Sequence, residues 1–509
     1  MTEAWLTPAL LGIDRPQPIA ADGALGALLL QIGAGEDAAL AYSRSVGAMA
    51  ACGLAAVRTG PPAPARAPAG EDPHVLPDAH TWTPLLASVF ARGVAVQGHD
   101  VRLRHEACLQ LAAQHRRLPH AVLPLALDAG ARSQALRAPL LAVLGARGRW
   151  LATCNPAWDF GLAGEPAAIA SAPTAALQWD GARHEERVAW FLHARQSAPA
   201  EARERLLASL KTLSARERVD FVEAMAVHLD AADEPVLAGL LKDRSREVRH
   251  LVGPLLAQCP GAAHGQRVLG WMQAMLTRRT ALLRRTRWEC EPPQVADPAW
   301  AEAGIDAKRP PHDRLGERAW WLYQVVRQVP LPWWPAHTGM TPAELLAWAR
   351  GTDWEAALQR GWLERMDARH PDWVRAALDD YSLHAHAPRL LAMLPVEQRE
   401  SYWPGEVDEL ARTGLLSDVL AACAPGETLT AAYSQRLVPG MCACFAGERL
   451  RNDYNLRLHL LALATLLHPD ALAAVALPAQ PDDATESMRD CAHDLQRIVQ
   501  ARHAFHSPL

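Results

Sequence analysis

Between Glu201 and Cys259, leucine, valine and methionine recur at helical spacing, with charged residues filling the positions between them. Leu206, Leu207, Leu210 and Leu213 fall on one face of a first helical pattern. Val219, Val222, Met225 and Leu229 do the same in a second, with Phe221 beside them. Two further patterns, DEPVLAGLLKD and SREVRHLVGPLLAQC, follow after breaks of a few residues. Ser214 followed by Glu217 predicts a capping box, which supplies partners for two otherwise orphaned backbone N–H groups. Asp233 and Ser245 stand where the N-caps of the next two helices belong. Each apolar stripe is too narrow to close a core alone, so every helix pair must lean on its neighbour. The expected class is all-α, an α-solenoid of HEAT-like helical hairpins joined by proline-rich connectors.

The same periodicity divides the rest of the chain. N-terminal helices are expected in residues 1–60, over Asp22 to Ile32 and Asp37 to Val57. Residues 61–80 form a proline-rich linker or loop, because PPAPARAPAG cannot continue a helix. A helical region covers 81–200, with helices over Arg102 to Arg116, His120 to Leu127 and Gln134 to Leu144. The repeat core spans 201–287 and a second proline-rich connector 288–314. Tryptophan-rich helical repeats occupy 315–470, and a C-terminal helix and tail fill 471–509. Thr341 to Glu344 combines cap, N1 proline and box acid, and Thr352 to Glu355 repeats the box. Asp353-Trp354 through Leu358 and Asp372-Trp373 through Leu378 are alike, as successive helical units would be.

Composition narrows the class further. Half of the 509 residues are apolar, Ala and Leu foremost, with few Phe, Tyr and Ile, which favours helix over sheet. A formal net charge of -5 does not call for nucleic acid or an anionic membrane as the main partner. Nine scattered cysteines without a CxxC read as buried thiols in a reducing compartment. The N-terminus lacks the pattern of a signal peptide, and no uncharged stretch reaches the length of a membrane span. The expected location is the cytoplasm, with no membrane.

Candidate chemistry is sparse. Arg278, Arg279, Arg284, Arg285 and Arg287 end an apparent helix, RVLGWMQAMLTRRTALLRRTRW, and offer a basic face to nucleic acid or an acidic partner. At helical pitch they spread around the axis, and arginine in a last turn also answers the helix macrodipole. Trp333 and Trp334, in the proline-bounded loop VPLPWWPAHTG, are candidate partner contacts, since an indole on a loop needs a pocket or a partner. Trp354 and Trp373, at helix starts, are expected to plug gaps between stacked helices. Asp243 and Arg249 are expected to tie repeat to repeat.

His384 with His386, and Cys442 with Cys444, come nearest to metal ligands, but neither has a second pair at zinc spacing. Cys290 lies between Glu289 and Glu291 without a positioned histidine. Phosphate-binding, zinc-protease and nucleophile-elbow motifs are absent from the sequence. No catalytic, cofactor or metal residue is therefore assigned.

With DRSREVRHLVGPLLAQCP in view, the centre of the chain resembles a HEAT repeat. The larger pattern is similar to an uncharacterised bacterial family of HEAT-like proteins. LLGIDRPQP, LGARGRWLATCNPAW, LLKDRSREVR, LGERAWWLYQVVRQVPLPWW and the DW…AL units carry that resemblance over nearly the full length. It implies a gene neighbourhood with a SWIM zinc-finger protein, a MoxR-type AAA+ ATPase and a von Willebrand A-domain protein, and partnership with such a system. It implies no catalytic residues. The leading expectation is a non-enzymatic protein–protein interaction scaffold or adaptor. The alternatives are nucleic-acid binding, as in HEAT-like alkyl-base DNA glycosylases, and an unrecognised hydrolase or metal enzyme.

Overall fold

Helices follow the apolar periodicity through most of the computed structural model, which describes residues 23–33, 37–55, 75–76, 82–91, 98–162, 179, 182, 184–280, 286–479 and 484–506. The chain divides into two compact units, Met1–Ala69 and Gly70–Leu509. In the first, α1 (Gly23–Gly33) packs against α2 (Ala38–Ala55), close to the expected bounds.

The second unit begins with α3 (Trp82–Phe90), α4 (Gly98–Ala113), α5 (Leu123–Arg132), α6 (Gln134–Leu141) and α7 (Gly145–Ala152). Next come α8 (His184–Ser197), α9 (Pro199–Ser209), α10 (Ala215–Ala224), α11 (Glu234–Leu240) and α12 (Arg246–Gln258). In this stretch α8 packs on α10 and α10 on α12, while α9 and α11 lie beside α8 and α12. Their facing stripes close one buried cluster around Trp190, Phe191, Leu206, Phe221, Leu237 and Val252.

The caps explain the short helices. The Ser214–Glu217 box forms as expected, and Ser245 accepts from the Val248 N–H. Asp233 differs. Asp230 caps the turn Ala231–Asp233, and the Asp233 carboxylate takes the return bond from the Asp230 N–H at 2.9 Å. That carboxylate also receives Arg195 at 2.6 and 2.8 Å. Both side chains of this pair are fully buried.

Helix α13 (Ala263–Met275) stops where the sequence suggested one long basic helix. Strands β1 (Leu276–Thr280) and β2 (Thr286–Cys290) follow as an antiparallel hairpin, with Arg278 opposite Trp288 and Arg279 opposite Arg287. In β2, Trp288 and Cys290 alternate with Arg287 and Glu289, a pattern that a half-buried strand satisfies, although the arginine-rich run taken alone fits a helix as well. Trp288 ties the hairpin to the helix that ends at Thr338, donating its indole N–H to the Thr338 carbonyl at 3.1 Å. The unit is thus mostly helical, consistent with the expected all-α class, with one short hairpin among the described residues.

The remaining helices are α14 (Glu317–Val326), α15 (Trp333–Thr338), α16 (Pro342–Arg350), α17 (Glu355–Arg365), α18 (Pro371–Leu378), α19 (Ala387–Leu391), α20 (Val396–Arg399), α21 (Val407–Thr413), α22 (Leu415–Ala422), α23 (Ala431–Cys444), α24 (Arg449–Asn452), α25 (Tyr454–Ala464) and α26 (Glu486–His506). Helices α14 and α17 approach closely because position 361 is glycine; a Cβ there would lie 2.5 Å from Val326 Cγ1. The Thr341–Glu344 box forms, with Pro342 in the first turn. The expected Thr352–Glu355 box does not form. The Thr352 hydroxyl instead donates to the Ala349 carbonyl and accepts from the Trp354 N–H.

Helix α4 packs against α25 and α26, bringing the start of this unit to the end of the chain. Arg102 donates to the carbonyls of Leu420, Cys423 and Ala424. Glu106 receives Arg502 at 2.6 and 2.9 Å and His506 at 2.8 Å. One buried cluster therefore contains Leu103, Phe160, Trp362, Leu460 and Phe505. Among the described residues, no helix is long and apolar enough to cross a membrane.

Candidate functional site

Residues 312–315, helix α17 and the turn Tyr381–His386 enclose a cleft of about 650 Å³. Local chemistry shapes both walls. Asp313 turns the chain by accepting from the Leu315 N–H at 3.0 Å. Asp380 caps the opposite turn through the Ser382 N–H at 3.0 Å and is held in place by Arg350.

An ionic network underlies the cleft. Arg360 donates to Asp313 at 2.8 Å and lies 4.1 Å over the Tyr323 ring. The Tyr323 hydroxyl donates to Glu364 at 2.7 Å, and Arg327 Nε donates to the other Glu364 oxygen at 3.0 Å. His250 stands 3.5 Å from the same oxygen. Burial pushes the Glu364 carboxyl up. The His250 and Tyr323 hydrogen bonds and the Arg327 charge outweigh it, and hold the group at about 2. Burial pushes the Tyr323 hydroxyl up and the His250 imidazole down. A general acid or base works best with a pKa near the operating pH. Glu364 and Tyr323 are displaced away from neutrality, as ties holding helices together are.

The two cleft carboxylates are already neutralised, Asp313 by Arg360 and Glu364 chiefly by Arg327. Arg314 and Arg389 also line the cleft, and neither has a carboxylate partner among the described residues. Arg389 makes a long bond, 3.4 Å, to the Leu363 carbonyl. His312 and His386 add imidazoles to the lining. Beside it, Tyr381 is 84% exposed, with its ring 4.9 Å from that of His384.

A second, apolar groove of about 540 Å³ runs along Pro332, Pro335, Met340, Pro342, Pro371 and Trp373. The tryptophan pair next to it departs from expectation. Trp333 and Trp334 lie on α15 instead of a loop, and Trp334 is fully buried edge-to-face with Trp362 at 5.1 Å. Trp334 is a core residue because the facing helix supplies another indole to pack on. Trp333 is partly buried and stacks on His337 at 4.3 Å.

The other expected positions fall apart from one another. Arg278 and Arg287 sit on the hairpin, and Arg284 and Arg285 lie outside the described residues. Between them Arg279 pairs with Glu289 at 2.8 Å. The proline-rich 61–80 stretch also lies outside the described residues, except for Val75 and Leu76. Asp243 pairs with Arg218 of the preceding hairpin at 2.8 Å. Arg249 reaches the Asp243 backbone carbonyl at 2.8 Å and the Asp306 carboxylate at 3.5 Å. The Asp243 and Arg249 side chains thus point to different neighbours. Trp354 is partly buried under the Arg318 guanidinium, and Trp373 packs on Trp362 at 5.3 Å.

Burial pushes the Cys290 thiol up to about 12, with Glu291 adding to the effect, so it is no thiolate nucleophile. Cys442 and Cys444 occupy the end of α23. Among the described residues, no three His, Cys, Asp or Glu side chains are placed to hold a metal ion.

Residues 4–509 match a family of unknown function, DUF5691. The chain belongs to it. No curated protein and no solved structure matches the chain. DUF5691 membership assigns no activity, so the reading of this molecule rests on its geometry. The cleft itself escaped the sequence reading. Arg314, Arg360 and Arg389 come from three separate elements, and the only local hint was Arg360 with Glu364 one helical turn apart.

Proposed function

We propose that this DUF5691 protein is a non-enzymatic scaffold: an α-solenoid of HEAT-like hairpins that holds a partner protein in the cytoplasm. The packing of α8 on α10 and α10 on α12 carries the reading. Helices that touch their next-but-one neighbour build surface by addition, and the ends and edges of such stacks offer long faces for recognition. Ionisable groups of the Glu364 network are spent on holding helices together, which supports binding over proton transfer. The resemblance read from the sequence nominates a MoxR-type AAA+ ATPase or a von Willebrand A-domain protein as partner.

Affinity purification of the tagged full-length chain from its native cell, after mild cross-linking, tests this reading. The expected result is a partner recovered at near-stoichiometric yield, an ATPase or von Willebrand A-domain protein among those recovered. A chain that elutes alone at every salt concentration would sink it. Arg278 and Arg287 on the hairpin give a nucleic-acid role its footing. That role predicts duplex binding that drops steeply between about 50 and about 200 mM salt.

A further inference from the structure

We infer that the cleft between residues 312–315, α17 and the turn Tyr381–His386 seats an acidic, extended peptide segment, with Arg314 and Arg389 as its carboxylate anchors. That the segment belongs to a partner protein rests on the scaffold reading; the cleft's preference for acidic peptide rests on its own residues.

The charge balance comes first. Three guanidiniums line the cleft against two carboxylates, and both carboxylates are already spent within the network, Asp313 on Arg360 and Glu364 on Arg327. Arg314 and Arg389 have no carboxylate partner among the described residues, and the one long bond from Arg389 to the Leu363 carbonyl leaves its other donors for a ligand. A guanidinium binds a carboxylate through two parallel N–H···O bonds, stronger than neutral hydrogen bonds and directional. The two anchors stand on different walls, one on the 312–315 turn and one on α19, so a segment lying along the cleft meets both.

The floor suits a peptide. Leu315, Ala356, Leu363 and Leu383 also line the cleft and give methylene stems an apolar seat. A volume of about 650 Å³ lies within the range of ligand clefts, roughly 300–1,000 Å³. The nearby Tyr381 supplies an exposed aromatic, and tyrosine and arginine are, with tryptophan, enriched among residues that dominate binding energy.

Nucleic acid fits less well. Asp313 and Glu364 line the same cleft, so a run of closely spaced phosphates would meet carboxylates as well as cations there. The net charge of the whole chain, -5, does not favour a long polyanion.

Fluorescence anisotropy with labelled octaglutamate and the full-length chain at low salt tests the inference. Wild type should bind, and Arg314→Glu/Arg389→Glu should weaken binding at least tenfold. Both arginines are exposed, so the double variant should melt like wild type. Arg412→Glu, an exposed charge on α21, should change binding less than twofold. The inference is overturned if wild type ignores octaglutamate or if the double variant binds it equally well. It is also overturned if an oligothymidylate of equal charge binds more tightly through the same two arginines. The two readings fail separately. A partner captured undiminished by the double variant, with no octaglutamate binding, removes the cleft and leaves the scaffold. Octaglutamate bound through Arg314 and Arg389 by a chain that captures no partner removes the scaffold and leaves the cleft.

Discussion

Helices α8–α12 and helices α3–α7 span similar lengths of chain, yet the second group is also tied to a far more distant part of it. In the first group the ties from helix to helix within the stack are short in sequence: Arg195 reaches Asp233 38 residues on, and Arg218 reaches Asp243 25 residues on, while Arg249 and His250 of α12 reach outward to Asp306 and Glu364. In the second, Arg102 finds its acceptors more than 300 residues away, and Glu106 meets Arg502 across 396. A stack of neighbours can form piece by piece, because each closure fixes a short loop. A seam between the start of a unit and its end forms only after the chain between them has folded. The first region should therefore behave as a local cooperative unit, and the second should report the integrity of residues 317–506 as a whole.

Asp233→Ala should produce the largest effect. Arg195 and Asp233 are both inaccessible to solvent, and the substitution strands the guanidinium with only the Val227, Met225 and His228 carbonyls. Breaking a buried pair from one side costs about 3–5 kcal/mol. Urea unfolding should show that loss, and hydrogen exchange should place it in α8–α12 while α4 and α26 keep their protection. Equal loss of protection in both regions would mean that the two buried clusters unfold as one.

The complementary break is Glu106→Gln in the seam. Arg502 is fully buried, but the amide still accepts one hydrogen bond, so the cost should be smaller, about 2–3 kcal/mol. Protection should fall together in α4 and α26, helices at opposite ends of this unit, and hold in α8–α12. Acid offers the same test without a mutation. Burial pushes the Glu106 carboxyl up, but hydrogen bonds from His506 and Arg502 prevail and leave it below its ordinary value. A carboxyl lowered on folding stabilises fully above its unfolded value and loses that contribution as pH falls through the folded one. Seam protection in wild type should thus decline below about pH 4.5, and Glu106→Gln should remove that part of the acid dependence.

What could be read from sequence divides along the same line. Ser214 with Glu217 and Thr341 with Glu344 were legible because a capping box is settled within four residues. Thr352 with Glu355 looked identical on paper, but the hydroxyl found a carbonyl in the preceding turn. Trp334 read as a loop indole because its partner, Trp362, lies on a helix that periodicity cannot place in space. The strand pairing of Leu276 with Cys290 was hidden behind an arginine-rich run that fits a helix equally well. The seam and the cleft were illegible for one reason: their residues share no period, and only the packed helices between them bring them together.

The smallest effects should sharpen the contrast further. Ser214 caps α10 in the local stack, and Asp453 caps α25 by accepting from the Leu456 N–H at 2.9 Å. Replacing either by alanine removes one cap, worth about 1 kcal/mol. The two losses should be similar in a melting experiment and different in where they are felt. Ser214→Ala should fray α10 and its packed neighbours α8 and α12 only. Helix α25 packs on α4, so Asp453→Ala should raise exchange in α4 as well, far upstream in sequence. A change in α4 exchange from Ser214→Ala, or none from Asp453→Ala, would contradict the division into a local stack and a closing seam. A cap energy this small can travel that far only if the seam already sits near the low end of the molecule's local stabilities, as a closure of the longest loop should.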